Sequence, residues 1–351
     1  MLFLTWECKD DELTNQVAHF LNHFDAAIAH LKGKVEFMLP LTAFHLMAHR
    51  ATSKWPADEE LCRSLAKIAA NHTVYWRAGR FDFNVSAKPI IYGIMNITPD
   101  SFYDGGRYNT PEAMREHIRQ MVAAGADVIE VNGQTTKPGG FKEVSPEEEL
   151  ARIVPGIKML QEDFPNVAIA VDTYKLPVME RVLEMGVDII NDVQAFDDQR
   201  KLLLLKNSRA GLVTMHSSRD REYGNLTVEM KHFFEHNLAK ISEAGINLDR
   251  VIIDEGIGYS KVADGEQDYA MMRNIDEFRY LNRPIMVAIS RKGFGKKLFD
   301  LPKDERLPVT LIAETYMYLH GGRVLRVHDI EETRQLVKMI DTITAGYWQR
   351  G

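Results

Sequence analysis

The sequence predicts an α/β fold, a (β/α)8 barrel (TIM barrel), with a small helical appendage at its N-terminus. Three observations predict it. From residue 89 onward, strand-like and helix-like segments alternate strictly. Eight of each fit into the remaining chain, which has the length of about 250 residues that such a barrel needs. Every predicted strand also ends in a polar or charged residue, as expected where strand ends form one functional face.

The alternation can be followed segment by segment. The predicted strands are short apolar runs bounded by turn-forming residues, and they cover 90–95, 127–131, 167–171, 187–191, 210–215, 250–254, 284–289 and 323–326. The helices predicted between them repeat apolar residues at helical spacing, and they cover 111–124, 145–162, 175–185, 197–207, 226–243, 266–281, 307–320 and 330–346. A doubly wound open sheet is the alternative, but it needs a glycine-rich nucleotide-binding turn after its first strand, and the sequence has none there.

The first part of the chain differs in character. Residues 1–78 are predicted to form the helical appendage, of unknown role, and residues 79–351 the barrel; apolar residues recur at helical spacing around Val17 and Leu65, with a break at residues 54–58. Two histidine pairs have the i, i+4 spacing of helical metal ligands, namely His19 with His23 and His45 with His49. They lack acidic companions, so packing or solvation is the favoured interpretation. Residues 73–85 predict a hairpin that plugs the bottom of the barrel.

Composition excludes several classes of protein. The net charge is −7 at pH 7 and Lys and Arg are not clustered, which argues against a nucleic-acid partner. The two cysteines, Cys8 and Cys62, indicate a reducing compartment rather than a disulfide framework. The chain opens without a basic leader and contains no long uncharged apolar run, so we expect a cytoplasmic protein that has no membrane partner.

The polar residues at the strand ends predict an active site. In strand order they are Asn96, 132–136, Asp172, Asn191 with Asp192, His216, Asp254, 290–292 and 326–328. For any one of them, capping of the following helix is an equally good explanation. Because all eight strand ends meet on one face of a barrel, their coincidence favours a site.

Several of these segments resemble one enzyme family. The stretch YGIMNITPDSFYDGG at residues 92–106 resembles the first signature of the dihydropteroate synthases, GILNVTPDSFSDGG. Further matches follow in the same order at 171–173, 190–192, 254–261, 290–292 and 326–329, so the resemblance covers the chain from about Arg80 to its C-terminus. It leaves the N-terminal appendage unmatched.

The resemblance implies an activity and a set of substrates. Enzymes of this family join 6-hydroxymethyl-7,8-dihydropterin diphosphate to p-aminobenzoate, release diphosphate, and give 7,8-dihydropteroate for folate synthesis; they are also the targets of sulfonamides. The implied cofactor is Mg²⁺, and the implied partners are the two small-molecule substrates. A homodimer formed through the last helices is expected as well, with Ile312, Tyr316, Val337 and Ile340 available for contact.

The resemblance also implies roles for individual residues. The pterin would be held by Asp172, Asn191, Asp254 and Lys292, whose carboxylates, amide and amine suit its donor and acceptor edges. Arg326 and His328 would supply positive donors to the diphosphate, and Asn96 would hold the magnesium ion. The residues expected to act catalytically are Asp172, Lys292, Arg326 and His328. Thr136 is expected to bind substrate, and two lid loops carry Asp100, Ser101 and Asp104 in the first and Thr135 and Lys137 in the second.

The second loop departs from the family pattern. Where the family reads DIGGESTRPG, residues 130–139 read EVNGQTTKPG, so that Asn132, Gln134 and Lys137 replace Gly, Glu and Arg. After the sixth strand, Glu255 stands where the family has Pro. Two alternatives to a synthase therefore stay open. One is a pterin-binding relative with altered or no synthase activity, and the other is a protein that transfers a methyl group from a reduced folate to a corrinoid protein.

Overall fold

The computed structural model describes residues 1–24, 26–39, 41–97, 110–134, 143–217, 224–259 and 265–346. The chain divides into two compact units, one formed by residues 1–73 with 341–351 and the other by residues 74–340. The second unit begins a few residues before the predicted boundary at 78, because a hairpin at its start belongs to the barrel. Among the described residues, no helix is both long enough and apolar enough to cross a membrane.

The N-terminal unit contains a sheet as well as helices, so the prediction of a purely helical appendage was wrong. Its elements are β1 (Leu2–Glu7), α1 (Asp11–Leu21), β2 (Ala27–Leu31), β3 (Lys34–Leu39), α2 (Leu41–Lys54) and α3 (Glu59–Asn71). The strands form an antiparallel sheet in the order β1-β3-β2. The helices match the apolar spacing of the sequence, but the strands are only five or six residues long and β2 is mostly exposed, so each of them gives only a short signal.

The second unit is a closed barrel of eight parallel strands, which confirms the predicted fold. The strands are β6 (Ile90–Asn96), β7 (Val128–Asn132), β8 (Ala168–Asp172), β9 (Ile189–Asp192), β10 (Gly211–Met215), β11 (Val251–Asp254), β12 (Ile285–Val287) and β13 (Gly322–Val327). The flanking helices are α4 (Pro111–Ala124), α5 (Pro146–Asp163), α6 (Leu176–Glu184), α7 (Gln199–Lys206), α8 (Leu226–Glu243), α9 (Glu266–Arg273), α10 (Phe294–Phe299), α11 (Leu307–Leu319) and α12 (Ile330–Thr344). The short α10 was missed, and the end of the helix predicted at 266–281 is a 3-10 helix, Ile275–Leu281.

A small hairpin closes the bottom of the barrel, as predicted. It consists of β4 (Tyr75–Ala78) and β5 (Phe81–Asn84). Trp76 is fully buried among the lower inward-facing residues, and its Nε1 donates a hydrogen bond of 2.9 Å to the main-chain oxygen of Arg250. A Cβ atom on Gly211 would lie 2.7 Å from the Cβ of Ala78, so glycine at this position leaves room for the hairpin. With the bottom plugged, the strand ends at the top are the face left for a site.

The outer layer of the barrel contains a buried acid that makes stability depend on pH. Glu314 on α11 accepts a hydrogen bond of 3.1 Å from Thr333 Oγ1, while its Oε1 has no partner among the described residues. Burial raises the pKa of Glu314 from 4.5 to about 8. Between these two values the folded protein binds more protons than the unfolded chain, so stability is lost as the pH rises through this range.

Replacing Glu314 by Gln keeps the shape of the side chain and removes its ionisation. We expect Glu314→Gln to raise the free energy of unfolding at pH 8 by about 2 kcal/mol, with a difference that shrinks towards pH 5. Urea unfolding of both proteins at pH 5, 6, 7 and 8 measures this difference. An equal difference at pH 5 and pH 8 would show that folding does not raise the pKa of Glu314.

Candidate active site

The upper interior of the barrel is lined by polar residues from alternate positions of its strands. In a strand, every second side chain points to the same face, so Val128, Glu130 and Asn132 of β7 all point inward, while Ile129 and Val131 pack against the helices. By the same alternation, polar side chains on five other strands point into the barrel. These are Tyr92 and Asn96 on β6, Asp172 on β8, Asn191 on β9, Asp254 on β11 and Arg326 on β13.

Glu130 lies at the centre of this set. Its Oε1 accepts hydrogen bonds from Arg326 Nε at 3.0 Å and Asn132 Nδ2 at 2.9 Å, and Arg326 Nη2 also binds it. Its Oε2 accepts from Tyr92 Oη at 2.8 Å and Asn191 Nδ2 at 2.9 Å. These donors come from four different strands, β13, β6, β7 and β9, so one carboxylate links the side chains on this side of the barrel interior.

Two carboxylates share the single guanidinium of Arg326. In addition to its hydrogen bonds with Glu130, Arg326 donates from Nη2 to Asp172 Oδ2 at 3.3 Å. Burial alone would raise the pKa of Glu130, but the charge of Arg326 and the hydrogen bonds from Arg326, Asn191 and Asn132 lower it below the usual range. Burial and then the charge of Glu130 raise the pKa of Asp172 well above its usual value. Glu130 therefore carries the negative charge that balances Arg326, and Asp172 is the carboxyl that is protonated more readily than Glu130.

Three buried oxygens in this cluster have no hydrogen-bond partner among the described residues. They are Asn132 Oδ1, Asp172 Oδ1 and Asn191 Oδ1, on three consecutive strands. An unsatisfied buried polar atom costs about 1–3 kcal/mol, so such atoms in a cleft indicate where a ligand supplies the missing partner. When Asp172 is ionised, all three are acceptors, and the ligand that completes them must present several N–H or O–H donors.

The ends of β11 and β12 add a third carboxylate and an amine. Gly256 N donates to Asp254 Oδ1 at 2.8 Å, and the φ of Gly256 is +72°. A Cβ there would lie 1.8 Å from the main-chain oxygen of His216, so only glycine fits. Lys292 Nζ donates to the main-chain oxygen of Ile257 and lies 5.1 Å from the ring centre of Tyr259. Burial raises the pKa of Asp254, although the charge of Lys292 opposes this shift.

The residues after β12 and β13 include a histidine that is neutral at pH 7. His328 Nδ1 lies 3.0 Å from Ser290 Oγ. Burial, together with the charge of Arg326 and other nearby cations, lowers the pKa of His328 to about 3. The sequence predicted a positive donor at this position; the structure corrects that prediction, because the residue is half-buried beside several cations. His328 can still give or accept a hydrogen bond.

Other polar residues at the strand ends stabilise the loops. Asp192 accepts from Lys201 Nζ at 2.9 Å and from the main-chain N–H groups of Gln194 and Phe196, which closes the turn after β9. Arg291 makes a two-point ion pair with Asp329, at 2.8 and 2.7 Å. These residues hold the backbone of the site rather than facing its centre.

The start of the altered second loop is tied to the neighbouring strand. Gln134 Oε1 accepts from Lys175 Nζ at 2.5 Å, and Gln134 Nε2 donates to Tyr174 Oη at 2.8 Å. Lys175 also binds Glu149 Oε2 at 2.8 Å and is almost completely buried. Glu149 supplies the negative charge for Lys175, so the neutral Gln134 is accommodated here without leaving a buried cation unpaired.

The structure brings together six of the predicted site residues. Asp172, Asn191, Arg326 and Asn96 are linked directly or through Glu130 and Asn132, with Asn132 Nδ2 donating to Asn96 Oδ1 at 3.3 Å. Asp254 lies within electrostatic reach of both Lys292 and Arg326. The predicted lid and loop residues Asp100, Ser101, Asp104, Thr135, Thr136 and Lys137 lie outside the described residues.

Sequence reasoning missed two members of the cluster. Glu130 and Tyr92 received no role, although both lie inside predicted strands that are otherwise apolar. The signal that could have found them is the period of two, because Tyr92 lies four residues before Asn96, and Glu130 two residues before Asn132, on the same strand faces.

The side chains of this cluster include few possible metal ligands. In the part of the chain that the structure describes, no group of three or more His, Cys, Asp or Glu residues is arranged to hold a metal ion. Asn96 Oδ1 accepts one hydrogen bond, from Asn132 Nδ2, and its second lone pair can serve as a single oxygen ligand. This suits Mg²⁺, which commonly takes one or two ligands from the protein and the others from water and substrate phosphates.

The family model, the related sequences and the solved structures that match this chain all point to one enzyme family. Residues 92–328 match the family model described as "Pterin binding enzyme". The dihydropteroate synthase of Clostridium beijerinckii is 35% identical over 271 residues, which cover 76% of this chain and 98% of that protein. The solved structure of the Yersinia pestis dihydropteroate synthase with a sulfonamide drug complex superposes with a TM-score of 0.72 and 28% identity, over 78% of this chain and 100% of that one. The Burkholderia cenocepacia enzyme complexed with 7,8-dihydropteroate superposes with a TM-score of 0.69 and 28% identity, over 78% and 97% of the two chains.

Proposed function

The chain belongs to the pterin-binding enzymes, and we propose that the cluster around Glu130 is the pterin site of a dihydropteroate synthase. The enzyme is a transferase of folate biosynthesis. It condenses 6-hydroxymethyl-7,8-dihydropterin diphosphate with p-aminobenzoate to give 7,8-dihydropteroate and diphosphate. The observation that carries the assignment of the site is the set of unpartnered acceptor oxygens on neighbouring strands, which matches a flat ring rich in N–H donors.

The pterin ring would be read along both of its edges. Asp172 Oδ1 and Asn191 Oδ1 are placed to accept hydrogen bonds from its amino and ring N–H groups, and Asp254, at the end of β11, would accept from a further N–H group. Lys292, across the barrel on the loop after β12, is placed to donate to the ring carbonyl. A ligand that lacked this pattern would leave several buried groups unpaired, which makes the recognition selective.

The diphosphate would be held at the β13 and β6 side of the site. Arg326 uses its Nε and Nη2 for Glu130 and Asp172, and its Nη1 has no acceptor among the described residues, so one NH₂ group of a fixed cation remains for the leaving group. His328 would add a neutral hydrogen bond. Asn96 Oδ1 would be a ligand of Mg²⁺, which when bound neutralises part of the diphosphate charge.

The reaction is a substitution at the exocyclic methylene carbon of the pterin. The C–O bond to diphosphate breaks and takes its electron pair with the leaving group, while the amine nitrogen of p-aminobenzoate forms the new C–N bond and then loses a proton. Positive charge develops on the pterin as the C–O bond weakens. The fixed carboxylate of Glu130, with Asp172 and Asp254, lies where it lowers the energy of that charge.

A homodimer and a cytoplasmic location complete the proposal. Ile312 and Tyr316 on α11 are exposed, and with Leu298 they border an apolar groove of about 460 Å³. Val337, which was expected to take part, instead packs against the barrel core. Sedimentation at micromolar concentration tests the dimer, and a purely monomeric protein would contradict it. The cytoplasmic location is supported by the two cysteines, which are both free.

One assay tests the activity. The purified protein is incubated with dihydropterin diphosphate, p-aminobenzoate and Mg²⁺, and released diphosphate is measured over time. We expect release that requires p-aminobenzoate and that is inhibited by a sulfonamide. Calorimetric binding of the pterin without turnover would instead favour a pterin-binding relative that is not a synthase.

A further inference from the structure

The carboxylate of Glu130 has no free hydrogen-bonding capacity. An ionised carboxylate offers about four acceptor positions on its two oxygens. Here Arg326, Asn132, Tyr92 and Asn191 together fill them, and Glu130 is fully buried. Glu130 can therefore act on a ligand only through the side chains that it binds.

Two of those side chains are amides, and an amide bound in this way can have only one orientation. Asn132 points its Nδ2 at Glu130 Oε1, and Asn191 points its Nδ2 at Oε2, each at 2.9 Å. Rotating either amide by half a turn would place its oxygen against a carboxylate oxygen, so that two acceptors would face each other. The remaining oxygens, Asn132 Oδ1 and Asn191 Oδ1, are forced to point elsewhere, and both are buried without a partner among the described residues.

The position of Asn132 suggests which ligand group it meets. The closed strand order runs β12-β13-β6-β7-β8, so β7 and β8 lie across the barrel from β12. If Lys292, which follows β12, contacts the edge of the pterin that carries the ring carbonyl, then Asn132 and Asp172 face the opposite edge. That edge carries the N8–H group, which is present in a 7,8-dihydropterin and absent from the fully oxidised ring.

From this geometry we propose that Glu130 is a positioning residue that turns two amide oxygens towards the pterin, and that Asn132 Oδ1 accepts from the N8–H of the dihydro form. The proposal rests on the proposed function and deepens it, because it assigns to Asn132 a role in selecting the reduced substrate. Asn132 stands where the dihydropteroate synthase signature has glycine, so this contact is a feature of this chain.

The two roles can be separated with two variants. In Glu130→Gln, the one remaining oxygen stays with the two donors of Arg326 and with Asn132, and the new NH₂ group faces Asn191, which must turn its oxygen inward to accept. The ligand then meets an N–H group of Asn191 where it met an oxygen. In Asn132→Ala, by contrast, Asn191 keeps its orientation and only the acceptor at the N8 edge is lost.

Calorimetric titration with three ligands measures these effects. The three ligands are 6-hydroxymethyl-7,8-dihydropterin, its analogue without the 2-amino group, and the oxidised 6-hydroxymethylpterin. We expect Asn132→Ala to reduce the preference for the dihydro form over the oxidised form by about tenfold and to keep the preference for the amino group. Glu130→Gln should reduce the preference for the amino group by a similar factor and keep the preference for the dihydro form.

A matched control and two contrary outcomes complete the test. Tyr92→Phe removes one donor to Glu130 but leaves both amides oriented by the carboxylate, so both preferences should remain. If Asn132→Ala and Glu130→Gln weaken all three ligands in parallel, the two residues are merely structural and the inference is overturned while the proposed function stands. If the wild-type protein binds none of the three ligands, the proposed function fails and the inference falls with it.

Discussion

Asp172→Asn is expected to lower the affinity for dihydropterin diphosphate by about 100-fold while leaving the protein at least as stable as the wild type. Arg326 Nη2 donates to Asp172 Oδ2, so the amide oxygen of the variant must turn towards Arg326. Its NH₂ group then takes the place of Oδ1 and faces the N–H groups of the ligand. The loss of the acceptor together with this donor–donor contact costs about 2–3 kcal/mol of binding.

Stability should not suffer, because the substitution removes one of two neighbouring buried carboxyls. The charge of Glu130 contributes to the raised pKa of Asp172, and a neutral amide relieves that repulsion. Calorimetry gives the affinity and urea unfolding gives the stability. Unchanged affinity in Asp172→Asn would remove Asp172 from the pterin site.

The matched control lies at the opposite end of the barrel. Asp188 accepts two hydrogen bonds from the guanidinium of Arg80, of 3.0 and 2.8 Å, and also accepts from the main-chain N–H groups of Arg80 and Ile169. Asp188→Asn weakens this ion pair, so we expect lower stability and unchanged affinity for the pterin. The two Asp→Asn variants should thus have opposite profiles, one affecting binding and the other stability.

Arg326→Leu is expected to lower both stability and turnover, with the largest combined effect of these variants. Without the guanidinium, Glu130 keeps only its uncharged donors, and Asp172 loses the one hydrogen bond that Arg326 gives it. Breaking a buried ion pair by removing one partner costs about 3–5 kcal/mol of stability. Turnover should fall by about 1000-fold or more, since a cation next to the leaving diphosphate is also lost.

Arg326→Lys separates the two parts of that effect. Lysine keeps a positive charge near Glu130 but lacks the planar fork that reaches both Glu130 and Asp172. We expect most of the stability to return while turnover stays well below the wild-type rate. If Arg326→Leu unfolds at the same urea concentration as the wild type, the buried charge balance described for Glu130 and Arg326 is incorrect.

The barrel could be predicted because its signals are local. Each strand is a short apolar run that ends in a polar residue, and Asp172, Asn191 and Arg326 therefore stood out in the sequence. The same dependence on local signals explains why the N-terminal sheet was missed. Its strands are short and half exposed, and tertiary pairing rather than local pattern decides their structure.

The centre of the site could not be predicted, because its interactions connect distant parts of the chain. Glu130 and Arg326 are 196 residues apart, and only closure of the barrel brings them together. The neutral state of His328 likewise depends on burial and on cations from other loops. A charged residue inside a strand shows its role only when its neighbours across the barrel are known.

A crystal structure of this protein with 7,8-dihydropteroate bound would test the pterin site directly. We expect N–H groups of the pterin to lie within hydrogen-bonding distance, about 2.7–3.2 Å, of Asp172 Oδ1 and Asn191 Oδ1, and Glu130 to touch no ligand atom. A pterin ring bound directly by the carboxylate of Glu130, or bound away from Asp172 and Asn191, would contradict this expectation.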